Sequence, residues 1–262
     1  FTSAGEMLPE SPTILRVDQT TCIDLTTSGS ILVAGKTRSG KTTGVIALLI
    51  QVLSYGPDDF GSTITIVDPK CAELSRLPFT VTLDDDGEAT GILDALKAYV
   101  AIITRRQKFL NDLSEQTGDA VKWWDADFHP SFLFLDEYVS CRAVLPKKAA
   151  KDSDYCLDTF DGLIKRIVTT GASAGCYIII SIAEASVQEG GLPAMLRSAM
   201  STKILFRPTR ADSFVGDRVY QQGDAWFSST DGVHDAVSFV HFPHMQFPVY
   251  KELGQLLQEY YD

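Results

Sequence analysis

Between Ile31 and Leu49 the chain reads ILVAGKTRSGKTTGVIALL. An apolar, β-branched run stops at a glycine, a polar loop follows, and apolar residues then recur at helical spacing. That pattern predicts a buried strand, a tight loop and a helix. The loop itself, Gly35, Lys36, Thr37, Arg38, Ser39, Gly40, Lys41, Thr42 and then Thr43, fits G-x-x-x-x-G-K-(S/T). Its glycines let successive backbone N–H groups face one anion, and the helix adds its positive N-terminal end. A chance glycine turn would lack the flanking strand and helix. The stretch therefore predicts a nucleotide phosphate site. Lys41 would neutralise the β- and γ-phosphates and the Thr42 hydroxyl would ligate Mg²⁺.

A second apolar run, SFLFLDEY, ends in Asp136 and Glu137. Two solvated acids at the end of a strand are common in isolation. Downstream of a phosphate loop they have a chemical task. Asp136 would complete the magnesium shell and Glu137 would polarise an attacking water. The expected ligands are ATP and Mg²⁺, with Lys41, Asp136 and Glu137 as the catalytic set.

The rest of the chain alternates strand and helix signals. STITIVDPK, CYIIISIA and TKILFRP read as strands, residues 88–117 as a long amphipathic helix, and 157–170 as another. TILRVDQTTCIDL suggests a lead-in hairpin, and GDAWFSS and AVSFVHF a terminal pair. PVYKELGQLLQEYY reads as a last helix with Pro248 in its first turn. This is an α/β pattern, a mostly parallel sheet with helices on both faces. We read an N-terminal arm and hairpin at 1–27, one motor-sized domain at 28–247 and a C-terminal helix at 248–262. Residues 1–12 are expected to fray, and 82–88, 142–155 and 207–223 to be the softest stretches of the chain.

Composition narrows the partners. A net charge of −11 argues against a general nucleic-acid surface, although a ring needs a basic lumen only. No apolar run reaches the roughly 18–20 residues of a membrane span. The chain begins at Phe1 without a leader pattern, as an excised segment would. The five cysteines are scattered and form no C-x-x-C pair, which suits reduced thiols packed as small apolar residues. His241 and His244 lack the acidic or cysteine company of a metal site.

Five blocks in order, ILVAGKTRSGKTTGV, ITIVDPKCAEL, FLFLDEY, GASAGCYIIISIA and LRSAMSTKILF, resemble the motor domain of the FtsK/SpoIIIE family over roughly residues 28–242. The D-P-K-x-x-E-L block from Asp68 to Leu74 is the most discriminating. Arg105-Arg106 also resembles that family's arginine pair. The resemblance implies a RecA-like P-loop ATPase that assembles as a hexamer and pumps double-stranded DNA. It implies a parent at the cytoplasmic face of the bacterial membrane, tethered by segments outside this chain. In style the sequence is similar to conjugative coupling ATPases of Gram-positive plasmids and integrative elements, whose partners are relaxase or secretion-channel proteins.

Two departures matter. The family's Gln after the fourth strand is Ala183, in SIAEAS, and the arginine of its G-R-x-A-G turn is Ala172. An arginine finger contributes about 10³–10⁵ in rate where it operates. Arg166, Arg197 and Lys203 are the candidate cations acting from a neighbouring subunit, each otherwise a surface charge. Lys147, Lys148 and Lys151, with Arg207 and Arg210, are the candidate DNA contacts, each otherwise on a solvated loop. The leading expectation is a DNA-translocating ATPase of conjugation. The alternatives are a protein-secretion ATPase of the same superfamily and a nucleotide-gated assembly platform with slow turnover.

Overall fold

The computed structural model describes residues 1–36, 38–183, 192–207 and 220–262. The chain opens with an antiparallel hairpin, β1 (Ile14–Arg16) and β2 (Cys22–Asp24). There follow β3 (Ile31–Gly35), α1 (Lys41–Leu53), β4 (Ile64–Val67), β5 (Thr80–Val81) and α2 (Thr90–Thr117). Next come β6 (Ser131–Leu135), α3 (Tyr138–Val144), α4 (Leu157–Thr170), β7 (Cys176–Ile182) and α5 (Ala194–Ala199). The chain ends with β8 (Thr202–Phe206), β9 (Asp224–Ser229), β10 (Ser238–His241) and α6 (Val249–Tyr261).

Among the described residues the main sheet has eight strands, ordered β10-β9-β8-β3-β7-β6-β4-β5. The strands from β8 to β5 are parallel, and β9 and β10 add an antiparallel edge. Both features match the sequence pattern. β3, β6 and β7 are buried along their whole lengths, as strands covered on two faces must be.

The two-residue period of the strands divides the core. Phe132, Phe134, Tyr177 and Ile179 face one layer, built on α1 and α6. Leu133, Leu135, Ile178 and Ile180 face the other, built on α2, α3 and α4. Each such side chain stabilises the fold by about 1.5–3 kcal/mol through burial. The central strands are thereby fixed on both sides, and the loops at their C-terminal ends stand on a rigid base.

One expectation changes and two short elements are new. Residues 1–12 do not fray. Ala4 and Met7 are buried in the α1 layer, the Phe1 amino group donates to His244 O at 3.0 Å, and Gln246 N donates to Phe1 O at 2.8 Å. Their apolar residues are too few to show a period, yet enough to dock. The short helix α3 extends to Val144, into the start of 142–155. The short β5 pairs with β4 and carries no periodic signal. Most of 207–223 lies outside the described residues. α6 buries Leu253, Leu257 and Tyr260 in the same layer as α1. Among the described residues no helix is long and apolar enough to cross a membrane.

Candidate nucleotide site

β7 separates β3 from β6, so the three strands end side by side at Gly35, Ile182 and Leu135. The loop after β3 and the acids after β6 therefore leave the same sheet edge, one strand apart. In open parallel sheets this carboxyl edge is where ligands collect.

The loop is a cradle that side chains would fill. A Cβ on Gly35 would lie 2.9 Å from the Cβ and carbonyl oxygen of Phe206. Gly40 has φ +99°, and its Cβ would lie 3.0 Å from Gly223 N. Both positions need glycine. α1 starts directly after Gly40 with no side-chain cap, which leaves its first N–H groups unclaimed by any side chain. Ser39 Oγ is buried without a hydrogen-bond partner. Lys36, Arg38 and Thr43 are exposed and Thr42 is half-buried. Thr37 lies outside the described residues.

Lys41 is buried although charged. Its Nζ donates to Ile182 O at 3.1 Å and to Glu137 Oε1 at 3.3 Å. An ammonium has three donors, so this one is under-partnered. Lys70 Nζ reaches the same Glu137 oxygen at 3.5 Å. Glu137 sits at φ 54°, ψ 66°, a left-handed conformation that costs a residue with a Cβ about 1–2 kcal/mol. Backbone strain of this kind collects at functional positions.

Asp136 is anchored through its N–H to Val67 O at 3.0 Å. Burial lifts its carboxyl above the usual range, and the charges of Glu137 and Asp68 add to this. Ser181 and Lys41 oppose the shift. Ser181 Oγ makes no hydrogen bond of good geometry, but it lies close enough to favour the charged form. Beneath the acids, burial pushes the Cys141 thiol up to about 12.

The D-P-K block has a structural logic of its own. Asp68 is fully buried and accepts from the N–H groups of Lys70 (3.1 Å), Ala72 (2.8 Å) and Ser75 (3.1 Å). Its charge is spent on shaping the turn that presents Lys70 to Glu137. Glu73 in the same block accepts from the Tyr250 hydroxyl at 2.8 Å. Lys70 and Ser181 are the site residues that sequence reasoning missed. The block that holds Lys70 was conspicuous, but its target was not.

The remaining candidates lie elsewhere. Arg106 is buried at the opposite sheet edge, bonded to Ser131, His129 and Asp58, so it is part of the framework. Arg105 is exposed. Arg166 is exposed on α4 and donates to Thr104 Oγ1 at 3.0 Å. Arg197 is half-buried on α5, and Lys203 lies on β8, paired in register with Leu32 of β3. Ala172 is exposed in the turn before β7, and Ala183 is exposed just after it. Lys147, Lys148 and Lys151 are exposed between α3 and α4. Arg207 is exposed next to Phe206, the register partner of Gly35, which puts it at the edge where the phosphate loop leaves the sheet. Arg210 lies outside the described residues. His241 pairs with Asp224 at 2.6 Å, beside a cleft of about 150 Å³ lined by Gly40, Thr43, Gly44 and Phe242.

The uncapped start of α1 and the buried Lys41, which among the described residues uses two of its three donors, both adjoin the glycine loop. This donor set fits a polyphosphate. The carboxylate of Asp136 and the Thr42 hydroxyl are oxygen ligands of the kind Mg²⁺ takes.

Comparisons with known proteins agree with the resemblance read from the motifs. Residues 10–132 match the model of the FtsK/SpoIIIE family. The chain is 25% identical over 199 residues to the DNA translocase FtsK of Helicobacter pylori, covering 73% of this chain and 22% of that one. It thus spans about a fifth of the length of the curated relatives it matches. Among solved structures, the pCW3 conjugation coupling protein TcpA, in monomer form with ATPγS, superposes with a TM-score of 0.68 at 17% identity. That match covers 98% of this chain and 73% of TcpA. The cytoplasmic domain of the type VII secretion ATPase EccC from Thermomonospora curvata gives 0.64 at 14% identity, covering 98% of this chain and 32% of that one. The fold is that of the P-loop ATPases.

Proposed function

We propose that this FtsK/SpoIIIE-type chain is an ATPase motor that moves double-stranded DNA, in the manner of a conjugative coupling protein. The observation that carries the ATPase reading is the meeting of Lys41 and Glu137 at the edge where the glycine loop turns. In this reading Lys41 and the loop N–H groups from Lys36 to Thr43 hold the phosphates. Thr42 and Asp136 hold Mg²⁺. Bound Mg²⁺-ATP supplies the phosphoanhydride bond whose hydrolysis drives movement. Glu137 accepts a hydrogen bond from the attacking water and aligns it. A cation from a neighbouring subunit of a ring, drawn from Arg166, Arg197 and Lys203, replaces the arginine absent at Ala172. Lys147, Lys148, Lys151, Arg207 and Arg210 track the DNA backbone.

The DNA reading is supported by the sequence relationship to a DNA translocase and by the fit to TcpA over 98% of this chain. A second reading, protein secretion, is supported by equal coverage against EccC and by the net charge of −11. Steady-state ATP hydrolysis, with and without long double-stranded DNA, separates the two. In preparations that form rings, DNA raises turnover in the first reading and leaves it flat in the second. Glu137→Gln is the blank. It lowers kcat by about 10²–10⁴ and keeps nucleotide binding. Wild-type turnover in Glu137→Gln would remove the assigned base.

A further inference from the structure

Glu137 has an arrangement that the proposed hydrolysis does not use. One oxygen, Oε1, faces two ammonium groups, Lys41 Nζ at 3.3 Å and Lys70 Nζ at 3.5 Å. The two lysines differ in every other respect. Lys41 is buried and rooted in the phosphate loop. Lys70 has a half-exposed side chain on a backbone fixed by the Asp68 carboxylate. A half-exposed pair of this kind adds little to stability.

Lys41 has competing duties. A phosphate bound at Lys41 competes with Glu137 for the same positive charge, although the ammonium has a donor for each. Glu137 stands next to Asp136, a like charge, on a strained backbone. Ala172 and Ala183, where the family pattern has Arg and Gln, bring no polar side-chain group. Among the described residues, Lys70 is the other cation in contact with Glu137.

We propose that Lys70 is a positioning residue that draws Glu137 off Lys41. It thereby frees the phosphate-binding ammonium and keeps the base aimed. This rests on the ATPase reading above. It predicts an indirect effect on nucleotide affinity, exerted only through the Glu137 carboxylate.

The test is titration with the fluorescent nucleotide mant-ATP and Mg²⁺ on wild type, Lys70→Met, Lys70→Arg, Glu137→Gln and the Lys70→Met/Glu137→Gln double variant, with kcat and KM alongside. Lys70→Met should weaken binding about threefold, because Glu137 then pairs with Lys41 alone. The same change in the Glu137→Gln background should do nothing. Lys70→Met should lower kcat by about 10–100-fold, the loss typical of a misplaced group, and Lys70→Arg should recover most of it. Equal weakening in both backgrounds would overturn the proposal, since Lys70 would then touch the nucleotide itself. Unchanged affinity and kcat in Lys70→Met, in a protein that binds and turns over nucleotide, would overturn it while leaving the ATPase reading intact. A wild-type protein that binds no mant-ATP would overturn both.

Discussion

Two cation–carboxylate pairs in this molecule have the same separation and opposite characters. Arg106 and Asp58 lie 3.3 Å apart with side chains 0% and 3% exposed. Lys41 and Glu137 also lie 3.3 Å apart, with side chains 8% and 16% exposed. Around the first pair the partners are many. Arg106 also donates to Ser131 Oγ and His129 O and stacks 4.4 Å from the Phe128 ring, while Asp58 accepts from the N–H groups of Phe60, Ser62 and His129. Around the second pair they are few among the described residues, one carbonyl for Lys41 and one more lysine for Glu137. A planar guanidinium suits a permanent multidentate role, and an ammonium suits one that changes partners. A buried charge with many partners ties elements together. A buried charge with few is ready to accept another.

This contrast can be broken by mutation. The largest expected effect is on Arg106→Ala, which leaves Asp58 buried without its counter-charge and should destabilise the chain by about 3–5 kcal/mol. Urea unfolding measures it. Lys41→Met should change the same unfolding free energy by no more than about 1 kcal/mol, because Glu137 keeps Lys70 and some exposure to water. Comparable losses at both sites would erase the distinction. The next effect is on affinity. Lys41→Met removes a charge-assisted hydrogen bond to phosphate and should weaken nucleotide binding by roughly 10–100-fold, read by isothermal calorimetry. An Arg106 variant that still folds should bind normally.

The smallest effect concerns Asp136. Burial raises its pKa in the folded chain, so the penalty for its charge is absent below the unfolded value of about 4 and grows as pH rises through the folded value. In the presence of a chelator, Asp136→Asn should therefore stabilise the protein at pH 7, by about 1 kcal/mol or less, and lose that advantage in acid. Thermal melts at the two pH values decide it. A variant less stable at pH 7 would mean that Asp136 is net favourable there.

What could be read from the sequence was local. The phosphate loop and the Asp136-Glu137 pair lie within single strand-to-loop transitions, where residue type and spacing carry the meaning. The parallel strands showed as short apolar runs, and the antiparallel β9–β10 edge as two such runs near the end of the chain. What could not be read depends on distant partners. Arg106 meets Asp58 across 48 positions, and Lys41 meets Glu137 across 96. Arg106 looked like a family mark because its neighbour Arg105 is also arginine. Only the fold shows that one is core and the other surface. Lys70 was inside a block already singled out, but nothing in D-P-K tells which acid the lysine will face. The docking of Phe1, Ala4 and Met7 rests on shape more than on pattern.

The last helix carries a mechanical consequence. Near its start, the Tyr250 hydroxyl bonds Glu73 in the turn that follows β4. At its end, the Tyr261 hydroxyl receives Ile64 N–H at 2.9 Å and donates to Ile64 O at 2.7 Å, at the first residue of β4. α6 is thus fastened at its end to the first residue of β4 and near its start to the turn beyond that strand. A load pulling along α6 meets both fastenings together, and the one at Ile64 passes it to β4. A load pulling across α6 meets one fastening at a time and can peel it. On this geometry α6 is expected to resist a pull along its axis more than one across it, and one of its two fastenings is the turn that carries Lys70.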